Sequence, residues 1–284
     1  MRVLFVAMLV LLSAANLPAG AEAPGAKGLR ASEPKVGEPR ASKSKSSKPK
    51  SNKTRAGEIR IAVAANFTAV ARLLGRRFRA ETGHEAIIVS GSTGKHYAQI
   101  IHGAPFDVFL AADAERPGLL ETQQRIVAGS RFTYAFGRIV LWSADDALVD
   151  SAGLVLGQER FRRLAIADPG LAPYGRAARE ALVALGHWDD LQDRLVRGKN
   201  VGQAFQFVGT RNAELGIIAA SQIVSETNGS AWPVPATLHA PIEQQAVLLR
   251  DRPAGRAFLA FLKSPAARDV IRANGYGTSE ESGS

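Results

Sequence analysis

Four short turns in this chain share one kind of chemistry. Each contains small residues, comes directly before a predicted helix, and offers only one or two side-chain donors, all of them neutral. The backbone N–H groups at a helix N-terminus have no partner within the helix and lie at the positive end of its dipole. Such turns can hold a fully ionised oxyanion without a salt bridge. They are Ala64-Ala65-Asn66, Gly91-Ser92-Thr93-Gly94, Ala172-Pro173-Tyr174-Gly175 and Asn200-Val201-Gly202.

One such turn is weak evidence of a site, because every strand-to-helix unit has one and most bind nothing. The cations Lys95, Arg176 and Lys199 flank the turns but lie a residue outside the small-residue segments. No turn contains a carboxylate that would repel an anion. Together, the four turns favour a cleft that binds an anion through neutral donors.

The first turn joins the unit around which the chain is organised. Ile59, Ile61 and Val63 alternate as in a strand. From Phe67 to Phe78 the apolar residues follow the spacing of an amphipathic helix. The change of period falls at Ala64-Ala65-Asn66, where we predict that Asn66 caps the helix.

Strands and helices alternate along the rest of the chain, which predicts an α/β fold of parallel-rich sheets with helices on both faces. Two long extended runs, near residues 131–142 and 241–249, are long enough to leave one lobe and return to it. We therefore predict a first lobe of residues 58–138 and 240–284. The predicted second lobe is 139–239, with the ligand in the cleft between them.

The sequence gives little support for an enzyme or a metal-binding protein. The chain lacks Cys, a nucleophile elbow, a phosphate-binding Gly-rich loop and paired zinc-ligand histidines. His96 and His102 are interpreted as solvated or capping residues rather than metal ligands. Asp107 and Asp113 are interpreted as strand-end and cap residues rather than an acid and base. An enzyme of unknown type remains one alternative to a binding protein.

The basic character of the chain is concentrated near its start. Residues 1–23 have the Arg, apolar run and small residues of a cleavable signal peptide, which predicts a periplasmic protein. Residues 24–57 contain ten Lys or Arg against two Glu and predict a disordered tether. This segment is either a solvated spacer or an adhesive for anionic surfaces or nucleic acid. It has no aromatic residues to stack on bases.

Several segments together resemble the periplasmic molybdate-binding proteins of ABC transporters, the ModA family. The resemblance covers nearly everything from Glu58 to Gly277. It is carried by AVAANF (62–67), SGSTG (90–94), YAQI (97–100), GAP (103–105), 131–134 with LWS (141–143), 166–175 ending in APYG, NVGQA (200–204) and QQAV (244–247).

The resemblance implies a two-lobe periplasmic-binding-protein fold, type II-like, which binds molybdate or tungstate and catalyses nothing. It implies no cofactor, a membrane permease as partner, a monomer, and no specific nucleic acid. Molybdenum would be bound only as the oxyanion. The implied ligand-binding residues, with Ser92 in a supporting position, are Ala65, Asn66, Ser92, Thr93, Tyr174 and Val201.

Three positions depart from the family pattern. Ala65 stands where relatives can have Thr, so only its backbone would bind. Thr93 replaces the usual Ser, which keeps the hydroxyl and adds a methyl group. In one branch the tyrosine comes from the position of Ala219, whereas here Tyr174 would serve. A binding protein for sulfate or another oxyanion is the alternative within this class.

Overall fold

The computed structural model describes residues 57–277. The predicted signal peptide, and the predicted tether except Gly57, lie outside the described residues. None of the helices in residues 57–277 has the length and apolar character needed to cross a bilayer.

The described residues form ten strands and seven α-helices. The strands are β1 (Glu58–Ala64), β2 (Glu85–Gly91), β3 (Val108–Leu110), β4 (Phe132–Gly137), β5 (Ile139–Ser143), β6 (Leu164–Ala167), β7 (Leu195–Gly198), β8 (Leu215–Ala219), β9 (Ser230–Pro233) and β10 (Ile242–Leu248). The helices are α1 (Thr68–Thr82), α2 (Thr93–Ile101), α3 (Glu115–Thr122), α4 (Pro173–Ala184), α5 (Val201–Gly209), α6 (Pro253–Leu262) and α7 (Pro265–Ala273).

Two five-stranded sheets organise these elements into two lobes. The first has the order β2-β1-β3-β10-β4, and the second has the order β7-β6-β8-β5-β9. In the first sheet β1 is parallel to β2 and β3, whereas β10 is antiparallel to β3 and β4. In the second, β6 is parallel to β7 and β8, whereas β5 is antiparallel to β8 and β9. The predicted α/β fold of two lobes is confirmed.

The first lobe is built on the strand and helix that the apolar spacing predicts. Ile59, Ile61 and Val63 are fully buried. They belong to the same apolar core as the buried stripe of α1, which includes Leu74 and Phe78. Since β1 is also covered on its other face, helices pack on both sides of this sheet.

The two lobes are joined at neighbouring points. β4 and β5 follow each other in the chain but belong to different sheets, with only Arg138 between them. The return to the first sheet ends at Ile242, which pairs with Gly137 at the end of β4. The two connections therefore run side by side, which is the geometry of a hinge.

Candidate functional site

A small cavity lies between the lobes. Every segment that lines it follows the carboxyl end of a parallel strand, which is where ligands bind in α/β sheets. Among the described residues, no Asp, Glu, Lys or Arg lines it. Its lining residues are Ala64, Ala65, Asn66, Ser92, Thr93, Ala112, Ala172, Pro173, Tyr174, Asn200 and Val201.

All six residues named from the sequence line this one cavity. The first lobe supplies Ala65, Asn66, Ser92 and Thr93, and the second supplies the remaining two. The other five lining residues were not among the predicted ligand contacts. Four of those are Ala or Pro and have no polar side chain, so the sequence offers no chemical signal for them.

The first turn is a short 3₁₀ segment, Ala65–Phe67, between β1 and α1. The predicted capping role of Asn66 is wrong, because Ala64 occupies the N-cap position and no side chain caps the turn. The Asn66 amide nitrogen instead donates to Gln244 Oε1 at 2.8 Å. The first N–H groups of the turn have no acceptor within the helix, which leaves them for a ligand in the cavity.

The second turn supplies two hydroxyls. Ser92 is the N-cap of α2, and its Oγ accepts from the Lys95 N–H at 3.3 Å. Thr93 Oγ1 accepts from the Ala112 N–H at 3.0 Å, and only 1% of the residue is exposed. A hydroxyl that accepts a hydrogen bond still has its own proton to donate. The Ala112 contact thus leaves the Thr93 proton for a second partner.

The third and fourth turns present the N-termini of α4 and α5. A Cβ on Gly175 would lie 2.3 Å from the carbonyl oxygen of Ala167, so α4 meets β6 too closely for any other residue. Asn200 caps α5, because its Oδ1 accepts from the Gln203 N–H at 3.0 Å. Val201 is the first residue of α5, and its N–H therefore has no acceptor within the helix.

A buried hydrogen-bond network lies next to the cavity and joins the lobes. Gln244 is 0% exposed. Its Oε1 accepts from the Asn66 amide and, at 3.1 Å, from the Tyr134 hydroxyl. Its Nε2 donates to the Tyr174 hydroxyl at 3.2 Å. The Tyr276 hydroxyl donates to the Asn66 carbonyl at 2.8 Å. The network ties Tyr174 of the second lobe to the first.

Sequence reasoning missed the roles of Tyr134, Gln244 and Tyr276. The available signal was the pair Gln244-Gln245, which comes directly before the apolar end of β10. Burial raises the pKa of Tyr134, Tyr174 and Tyr276 above the ordinary range. The three phenols therefore stay protonated at neutral pH and can act as hydrogen-bond donors.

The lobes also touch along one rim of the cleft. The Gly94 N–H, near the start of α2, donates to the Leu171 carbonyl of the second lobe at 3.0 Å. Arg176, which does not line the cavity, donates across the cleft to Glu115 at 2.8 Å. Arg116 pairs with Asp113, and burial raises the pKa of that carboxyl although the arginine opposes the shift. This rim is held by paired charges and a backbone contact.

The other titratable residues considered in the sequence analysis have structural roles. His96 is buried rather than solvated, so that interpretation is wrong. Its Nε2 lies 3.2 Å from the Val63 carbonyl, and burial lowers its pKa. His102 contacts the Ala98 carbonyl at the end of α2, as a capping residue does. Asp107 accepts from the Arg60 N–H at 2.8 Å. Within residues 57–277, no three His, Asp or Glu side chains are grouped so that they could hold a metal ion.

Two lobes, a hinge and a cavity between the strand ends define the class of solute-binding proteins, which close around a ligand. A family model described as "Bacterial extracellular solute-binding protein" matches residues 59–277. Two proteins named "Molybdate-binding protein ModA", from Azotobacter vinelandii and Rhodobacter capsulatus, are 49% and 48% identical to this chain. Each match covers 78% of this chain, and they cover 90% and 89% of the relatives.

A solved structure agrees with these relatives. The Azotobacter vinelandii periplasmic molybdate-binding protein matches with a TM-score of 0.76 and 40% sequence identity, over 78% of this chain and 99% of that chain. The chain belongs to the ModA family of bacterial extracellular solute-binding proteins, and the resemblance predicted from its sequence is confirmed.

Proposed function

We propose that this protein captures molybdate or tungstate between its lobes and delivers it to the membrane permease of an ABC importer. The observation that carries the proposal is the convergence of four helix N-termini and neutral hydroxyls on a cavity that no charged side chain lines. The names of the related proteins support molybdate as the ligand. Capture and release break no covalent bond, and we infer no catalytic role and no cofactor.

The proposed ligand contacts are hydrogen bonds to the oxyanion, with no protein bond to molybdenum. Backbone N–H groups would donate from the first, third and fourth turns, and hydroxyls from the second and third. The Tyr174 hydroxyl already accepts from Asn66 and Gln244, so its own proton is the one it would donate. The contacts would come from Ala65, Asn66, Ser92, Thr93, Tyr174 and Val201.

A neutral donor set suits a dianion that carries no proton. Hydrogen bonds to charged groups are stronger than neutral ones, and the helix dipoles add favourable potential at the same points. The donors come from both lobes, so an anion with shorter bonds than molybdate cannot reach all of them equally well. We therefore expect the protein to bind molybdate in preference to sulfate. We also expect it to bind molybdate in preference to protonated phosphate, because no carboxylate among the described lining residues can accept the phosphate proton.

The remaining proposals concern the start of the chain and its assembly. We propose that residues 1–23 direct export to the periplasm, and that the protein acts there as a monomer without specific nucleic-acid binding. Residues 24–57 would be a spacer that takes no part in the site.

Thermal unfolding tests the proposed ligand directly. A ligand that binds only the folded state stabilises it by ~2.7 kcal/mol at a hundredfold excess over Kd. For a domain of this size, that corresponds to a rise in Tm of about 5 °C or more. We expect this rise with molybdate and tungstate, and little change with sulfate or phosphate at equal concentration. An equal rise with sulfate would refute the selectivity, and no rise with any oxyanion would refute the assignment.

A second experiment tests whether binding requires the lobe contact at Gly94. A Cβ at this position would lie 2.9 Å from the Leu171 carbonyl oxygen across the cleft. Because Leu171 belongs to the other lobe, Gly94→Ala should oppose closure while leaving each lobe folded. We expect molybdate affinity to fall by about tenfold, which corresponds to ~1.4 kcal/mol.

The matched control is Gly118→Ala in α3, where the nearest atom to the added Cβ is 3.9 Å away. Calorimetry gives the affinities, and the Tm without ligand reports the fold. Unchanged affinity in Gly94→Ala would mean that the closed complex does not bring these two backbones together.

A further inference from the structure

A second groove opens on the cleft and adjoins the cavity. It lies between α1 and the end of β2 in the first lobe and the start of α5 in the second. Ala65 and Asn200 line both the groove and the cavity, so the two spaces meet at these residues. The groove therefore lies directly beside the proposed site.

The groove carries positive charge without a compensating carboxylate. Arg72 and Lys199 line it from opposite lobes, both are exposed, and neither forms an ion pair with another described residue. Within residues 57–277, no Asp or Glu lines the groove. Its remaining polar side chains are neutral and come from Thr68, Ser90, Asn200, Gln203 and Gln206.

The rim of the cleft at Gly94 differs from the groove in its charge and in its contacts between the lobes. There Arg176 is paired with Glu115, Arg116 is paired with Asp113, and a backbone hydrogen bond joins the lobes. Paired charges produce a weaker field at a distance than unpaired ones, because their contributions largely cancel. An approaching anion is thus attracted to the groove rather than to this rim.

We propose that the oxyanion enters through this groove, and that Arg72 and Lys199 steer it toward the cavity. This inference rests on the proposed function and adds a route and a kinetic role for two residues outside the binding site. Neither cation lines the cavity, so neither holds the bound anion. Steering by a charged cleft raises association rates by about 10- to 1,000-fold, and salt reduces the effect.

Stopped-flow fluorescence with sodium molybdate, using the tryptophans of the second lobe, tests the route. Arg72→Gln and Lys199→Gln should each lower the association rate constant about threefold at low salt, and the double variant about tenfold. The dissociation rate constant should stay unchanged. The difference from the unmodified protein should disappear near 0.5 M salt, where the Debye length is only ~4 Å.

Arg77→Gln is the matched control, because Arg77 lies on the same helix and is exposed but does not line the groove. An equal slowing in Arg77→Gln would show a general effect of net charge and overturn the proposed route. Faster dissociation with unchanged association would mean that the two cations hold the anion, which also overturns it. No molybdate binding by the unmodified protein, measured first by calorimetry, would instead refute the proposed function itself.

Discussion

Replacing Thr93 by Val is expected to weaken molybdate binding by about ten- to a hundredfold. The substitution keeps the shape of the side chain and removes the hydroxyl, both its free proton and the oxygen that accepts from the Ala112 N–H. A hydrogen bond to a charged group contributes ~1.5–3 kcal/mol, and this range sets the expected loss of affinity. Calorimetric titration of the variant measures it.

Two further variants make the Thr93 result specific. Thr93→Ser keeps the hydroxyl and should bind within about threefold of the unmodified protein, since no donor is lost. Arg176→Ala removes a partly exposed ion pair with Glu115 and a longer one, at 3.9 Å, with Asp113, which keeps Arg116 as a partner. Exposed pairs of this kind contribute at most ~1 kcal/mol. The affinity of this variant should fall by about fivefold or less. If Arg176→Ala abolished binding while Thr93→Val had no effect, a salt bridge would hold the anion and our account of neutral donors would be wrong.

The second large effect is expected from Gln244→Leu. This change removes one hydrogen-bond partner of the Asn66 amide and of the Tyr134 and Tyr174 hydroxyls, all of which are buried. Each of the three groups keeps a second partner. A hydrogen bond contributes ~0.5–1.5 kcal/mol, so the loss of three should lower the free energy of unfolding by about 3 kcal/mol. The corresponding fall in Tm is about 6–12 °C. Affinity should fall as well, because Asn66 and Tyr174 line the cavity.

The neighbouring residue provides a control on the same strand. Gln245 bonds instead to Thr133, Glu243 and Arg131, and it does not line the cavity. Gln245→Leu should therefore lower the Tm but leave molybdate affinity within about twofold. Calorimetry and thermal unfolding of both variants separate the two roles. A Gln244→Leu protein with a lowered Tm and normal affinity would show that the network stabilises the fold without positioning the ligand contacts.

Much of the fold follows from patterns between near neighbours in the chain. The alternation at Ile59, Ile61 and Val63 and the helical spacing after Phe67 both correspond to observed elements. Gly186 has a left-handed φ of 76° just after α4, and glycine at this position is a common local signal for the end of a helix. Such features depend on contacts within about four residues, and a single sequence contains that information.

The anion-binding character of the turns also follows from the local sequence. A helix N-terminus after a strand exposes N–H groups whatever the rest of the chain does, and a turn without carboxylates is visible in the sequence. The six ligand-binding residues were implied by the family resemblance and fall within these four turns, and the structure places them around one cavity.

Only the tertiary structure decided which side chains face each other. Asn66 was predicted as a cap from its position before a helix, yet its amide bonds to Gln244, 178 residues further on. Arg176 and Glu115 are 61 residues apart and meet only because the lobes close. Such partners depend on how two sheets pack across a hinge. Local sequence patterns extend over a few residues, so they contain no information about that packing.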